Sequence, residues 1–113
     1  MQIHIQSIHF TANTNLLADT NEKLEKLEKL YDRIERCNVT LKLELNEDKR
    51  RYFAEIRLAI PGEDLFASEK AESFDQAIDH VVSDLKKQLV KRKEKMNSFD
   101  RTEVTELPDG SSL

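Results

Sequence analysis

Glycine, proline, cysteine and tryptophan are almost missing from this 113-residue chain, which has two Gly, two Pro, one Cys and no Trp. So little Gly and Pro excludes long flexible linkers, and two glycines cannot build a glycine-rich phosphate loop. The single thiol, Cys37, has no internal disulfide partner, so a reducing compartment is expected. It reads as a small buried or edge residue, with no neighbours to help it hold zinc. His4, His9 and His80 lack ligand-like spacing, so no metal site is expected. No apolar run approaches the roughly 20 residues that span a bilayer, and the N-terminus shows neither the basic segment nor the apolar run of a signal peptide. These absences point to a cytoplasmic chain with no membrane partner, no cofactor and no small-molecule substrate. They also show no catalytic constellation, so an enzyme is not expected.

What is present is charge and regular apolar spacing. Charged residues make up 35% and hydrophobic ones 38% of the chain. The apolar positions recur periodically, which predicts one folded domain with one core. Gln2 to Ile8 alternates, Ile3 and Ile5 against Gln2, His4 and Gln6, and reads as a strand. Leu17, Thr20, Leu24, Leu27, Tyr31 and Ile34 step by threes and fours, predicting a helix over 14–32 capped by Asn13 or Thr14. Val39, Leu41, Leu43 and Leu45 alternate with Thr40, Lys42 and Glu44 as a second strand, and Asn46-Glu47-Asp48 makes a turn. A third strand, Tyr52 to Ile60, has Ala54, Ile56, Leu58 and Ile60 on one face and Arg51, Phe53, Glu55 and Arg57 on the other. Pro61-Gly62 fits a type II turn, and Asp64 to Lys70 is a short fourth strand. Ser73 caps a second helix with the stripe Phe74, Ala77, Ile78, Val81, Val82, Leu85 and Leu89, which reaches as far as Lys95.

From Met96 to Leu113 the chain is polar and acidic without a strong period. The expected division is therefore an α+β domain of residues 1–95 and a flexible tail of 96–113. The order β-α-β-β-β-α makes the first two strands parallel through a right-handed crossover. One apolar face per strand leaves one sheet face covered and one wet. The expected fold is two-layer α+β, a four-stranded mixed sheet with two helices on one face.

A net charge of −4 conceals an uneven distribution. Lys86 to Lys95 reads KKQLVKRKEK, six bases (Lys86, Lys87, Lys91, Arg92, Lys93, Lys95) against Glu94 alone. Cations complement the dipole at a helix C-terminus, which accounts for two or three of them. Six in ten residues suit a surface presented to a polyanion. On the first helix, at about 100° per residue, Lys23, Lys26, Lys29 and Arg33 fall on one flank and Glu25, Glu28 and Asp32 on the other. The pairs Glu22–Lys26 and Glu25–Lys29 are worth about 0.2–0.5 kcal/mol each, but ion pairing alone does not require segregation to one flank. With only seven aromatics, a basic helical surface suits phosphate contact more than base stacking. Tyr52 and Phe53 have the chemistry to stack on bases, but packing in the core or on the sheet face is the expected job of each, and Asp79 is expected to make a structural hydrogen bond.

Five stretches in order carry a resemblance: KLEKLYDRI (Lys26 to Ile34), VTLKL (Val39 to Leu43), LFASE (Leu65 to Glu69), FDQAID (Phe74 to Asp79) and LKKQLVKRKEK (Leu85 to Lys95). Together they resemble the ribosome hibernation promoting factor family, which includes the YfiA or RaiA type of ribosome-associated inhibitor. Its members were formerly labelled sigma-54 modulation proteins. The resemblance implies a fold similar to double-stranded RNA-binding domains. It implies a non-catalytic inhibitor of translation that binds the small ribosomal subunit, and the whole ribosome, in the channel of mRNA and of A- and P-site tRNA during stationary phase or stress. Lys23, Lys26, Arg33, Lys42, Lys87, Lys91, Lys93 and Lys95 match basic positions of the family. Arg92 stands where His is common, and Asp84 where Lys is frequent, with Lys86 two residues on. Lys29 and Lys86 complete the candidate RNA-binding set. The length matches short members of the family, and a monomer is expected off the ribosome. Two other readings remain open, a module for free duplex RNA and a protein-interaction regulator of a sigma factor.

Overall fold

Alternating apolar residues make four strands and two apolar stripes make two helices. The structure of the protein, a computed structural model, describes residues 1–46 and 49–104 and the side chains of 1–45 and 49–95. In chain order the elements are β1 (Gln2–Ile8), α1 (Thr14–Leu30), β2 (Arg36–Asn46), β3 (Lys49–Ile60), β4 (Glu63–Ala71) and α2 (Phe74–Val104). The strands form one mixed sheet in the order β1-β2-β3-β4. β1 is parallel to β2, and the other two pairs are antiparallel. This is the expected α+β arrangement.

The ends of the helices follow from single residues. The Asn13 side chain accepts from the Leu16 N–H at 2.8 Å and starts α1. Ser73 Oγ accepts from the Gln76 N–H at 3.1 Å, and Gln76 Oε1 accepts from the Glu72 N–H at 3.4 Å, so two backbone donors are satisfied where α2 opens. α1 ends at Leu30, two residues sooner than expected, because Tyr31 takes an extended backbone (φ −140°) and drops its ring into the core. Gly62, with φ +90°, supplies the left-handed position of the β3–β4 turn.

The core lies between the helices and one face of the sheet. Leu24 and Leu27 of α1, Leu41, Ile56 and Leu58 of the sheet, and Ile78, Leu85 and Leu89 of α2 are fully buried. Each contributes about 1.5–3 kcal/mol. Thr20 is buried with them, its hydroxyl satisfied by the Leu16 carbonyl at 2.7 Å. Phe10 stacks on Phe74 with ring centroids 4.4 Å apart, and Tyr52 meets Phe74 edge-on at 4.9 Å. Tyr52 is thus half-buried at the edge of the core, packed against Phe74.

Two expectations change. Leu45 keeps the parity of Val39 and Leu41 but is 71% exposed, because the β2–β3 ribbon runs past the cover of the helices. The Glu47-Asp48 part of the expected turn lies outside the described residues. α2 continues to Val104, into the segment expected to be a tail. No Gly or Pro interrupts the sequence before Pro108, and adding residues to an existing helix is far easier than starting one. Residues 105–113 of that expected tail lie outside the described residues.

Candidate nucleic-acid interface

α2 divides into three flanks, each defined by what it touches. Residues Asp84, Gln88 and Arg92, four apart, face β4 and its turn. The Gln88 amide donates to the Phe66 carbonyl at 3.0 Å. Arg92 pairs with Glu63, donates to the Pro61 carbonyl at 3.5 Å, and comes to 3.7 Å of the position a side chain on Gly62 would take. Its Nε is buried with no hydrogen-bond partner among the described residues. Asp84 shares a hydrogen bond with Glu69 of β4, and this bond, before desolvation, holds the Glu69 carboxyl above the usual range.

A second flank faces α1. Asp79 pairs with Lys23 at 2.7 Å, and Lys93 Nζ reaches the Leu30 carbonyl at 3.5 Å. These contacts place the basic flank of α1 beside α2. The acidic flank turns the other way, with Glu28 pairing with the amino terminus of Met1 on the β1 side at 3.0 Å. The third flank of α2 faces solvent and carries Lys86, Lys87, Lys91 and the half-exposed Val90.

The candidate residues therefore separate. Lys26, Lys29, Lys86, Lys87, Lys91 and Lys95 are exposed and make no ion pair among the described residues. Lys93 is exposed and weakly tethered to α1. Arg33 is exposed, but it stands in the turn after α1, because the helix ends at Leu30. Lys23 and Arg92 are ion-paired within the fold. Lys42 lies on the opposite side of the molecule, on the open sheet face, 3.5 Å from Glu44. Glu44 also pairs with Lys70 at 3.2 Å, and the two lysines, Lys70 foremost, hold its carboxyl below the usual range.

Other groups fall outside a basic surface. Burial pushes the Cys37 thiol up to about 12, which keeps it protonated and unreactive at neutral pH. Among the described residues no cluster of three or more His, Cys, Asp or Glu could hold a metal ion, and no helix is long and apolar enough to cross a membrane. The period-two reading had set Arg51, Phe53, Glu55 and Arg57 on one face of the strand, and assigned only Phe53 a role, packing in the core or on the sheet face. The strand register adds Lys70 and Phe66 beside them, which no local pattern could reveal.

Comparison with known proteins follows the same outline. The family described as Sigma 54 modulation protein / S30EA ribosomal protein matches residues 3–97. A ribosome hibernation promoting factor of Pseudomonas putida is 34% identical over 99 residues, covering 88% of this chain and 93% of the relative. The factor of that name from Escherichia coli K12 is 30% identical over 96 residues, covering 85% and 97%. A ribosomal subunit interface protein from Coxiella burnetii superposes with a TM-score of 0.73 at 19% identity, over 83% of this chain and 99% of that one. The N-terminal domain of Thermus thermophilus Protein Y gives 0.63 at 23% identity, over 79% and 96%.

Proposed function

Since this chain belongs to the Sigma 54 modulation protein / S30EA ribosomal protein family, we propose that it is a ribosome hibernation factor, acting in the cytoplasm without catalysis. It binds the small ribosomal subunit in the channel used by mRNA and tRNA and holds the ribosome idle. The observation that carries the reading is the set of unpaired cations on the outer surface of the α1–α2 pair, on a chain of net charge −4. Lys26, Lys29, Arg33, Lys86, Lys87, Lys91, Lys93 and Lys95 make the contacts, each to a phosphate of ribosomal RNA. Lys23 and Arg92 serve the fold, because their charges are already met by Asp79 and Glu63.

Sedimentation tests this directly. The wild-type protein travels with small subunits. Its affinity falls with salt at a log–log slope of roughly −0.7 to −0.9 for each phosphate contact. Reversing three charges, Lys87→Glu, Lys91→Glu and Lys93→Glu, removes it from the subunit fraction, a loss of at least about a hundredfold. A triple variant that sediments like wild type refutes the helical surface. Equal affinity for ribosome-free duplex RNA points instead to a general duplex-binding module.

A further inference from the structure

The sheet face turned away from both helices has its own pattern, independent of the helical surface. The strand register sets its side chains in rows across the sheet. One row is Lys42–Phe53–Lys70, an aromatic ring between two cations. Another contains Arg57 and Phe66, with the guanidinium 5.5 Å from the ring centroid and Phe66 44% exposed. Between them lies the polar row Thr40–Glu55–Ser68, with one carboxylate at its centre. Along β3 the two aromatic rows are four residues apart, roughly 13 Å. On this face six cations (Arg36, Lys42, Lys49, Arg51, Arg57, Lys70) meet three acids (Glu44, Glu55, Asp64) among the described residues, so it is positive on an acidic chain. No helix covers it.

We propose that this open face binds single-stranded RNA, with unpaired bases stacking on Phe53 and Phe66, Arg57 holding one phosphate, and Lys42 and Lys70 exchanging their shared partner Glu44 for another. A flat ring beside a cation offers a base both stacking and charge, whatever the base is. Paired bases are already stacked and show no free face, so a duplex gains nothing from the two rings. A protein partner would need a continuous apolar patch here, whereas the rings are separated by a polar row and ringed with charge.

The test uses the whole chain and a fluorescein-labelled oligouridylate of about 12 nucleotides, within the usual footprint of such platforms, read by anisotropy. Wild type binds it more tightly than a duplex of equal length. Phe66→Ala weakens binding about fivefold, and Phe53→Ala with Phe66→Ala about thirtyfold. Phe53→Leu with Phe66→Leu keeps the apolar bulk and the fold, as circular dichroism can verify, and shows the same loss because a branched chain cannot stack. The helical triple variant Lys87→Glu, Lys91→Glu, Lys93→Glu keeps oligouridylate affinity within about threefold. The double Phe→Leu variant still sediments with small subunits as wild type does. The proposal is overturned if wild type does not bind the oligouridylate, if the Phe→Leu variant binds it undiminished, or if the helical variant alone abolishes binding.

Discussion

Lys91 and Arg92 are neighbours in sequence with the same charge and opposite surroundings. Lys91 is exposed and has no ion pair among the described residues. Arg92 is clamped over the β3–β4 turn by Glu63 and the Pro61 carbonyl. The contrast continues along α2. Asp84, Gln88 and Arg92 bind the helix to β4, whereas Lys86, Lys87 and Lys91 look outward. It also changes with position, because Leu89 is the last fully buried residue of the helix among those described and Val90 is already 36% exposed. A row of cations is thus two populations, and a helix turning about 100° per residue sorts them.

The largest expected effect lies at the boundary between the packed and projecting parts of α2. Leu89→Ala should cost about 2–5 kcal/mol in chemical denaturation, because it leaves a cavity in the core where Leu89 is fully buried. Val90→Ala should stay within about 0.5 kcal/mol. An equal cost at Val90 breaks the comparison, since that face would then be covered in solution.

Arg92 and Lys91 test the two populations one residue apart. Arg92→Ala should lower stability by about 1 kcal/mol, the worth of a charged hydrogen bond discounted for the partly exposed Glu63. Its affinity for small subunits should stay within about twofold. Lys91→Ala should leave stability within about 0.5 kcal/mol and flatten the salt dependence of subunit binding by about one unit. Thermal melts paired with sedimentation at several salt concentrations separate the cases. The assignment of Arg92 to the fold fails if its loss costs ribosome affinity and not stability.

The periods of the chain made most of the fold readable before any coordinates. Caps at Asn13 and Ser73 and the turn at Gly62 were readable because each depends on a few adjacent residues. What local pattern left hidden turns mostly on contacts distant in sequence. Arg92 continues the apolar stripe of α2, and only the tertiary fold shows that the β3–β4 turn reaches beneath it. Leu45 has the parity of a core residue, but parity cannot say how far the helical layer extends. Lys23 meets Asp79 across the two helices, so its local flank gave its direction and not its partner. Past Lys95 the polar composition suggested a tail, yet polarity does not end a helix without a breaking residue. The open sheet face was half visible, since alternation put Phe53 beside Arg51 and Arg57, but its rows needed the register.

The smallest effect belongs to the β4-facing flank of α2 and concerns pH. Glu69 is held above the usual carboxylate range chiefly by its hydrogen bond with Asp84, then by desolvation and the Asp84 charge, while His80 acts in the opposite direction. A carboxyl raised in the folded state keeps its proton longer there than in the unfolded chain. Its stabilisation is fully present at low pH and is lost as pH rises through its raised value. At neutral pH two carboxylates then face each other across the seam. Glu69→Gln supplies a permanent donor to Asp84 and removes that repulsion. The variant should therefore melt higher than wild type at neutral pH, and the difference should shrink as pH falls into the carboxylate range. A difference that stays constant with pH assigns the effect to packing and detaches Glu69 from Asp84. Subunit binding at neutral pH should not change, because this flank is turned from the outer surface that Lys87 and Lys91 occupy.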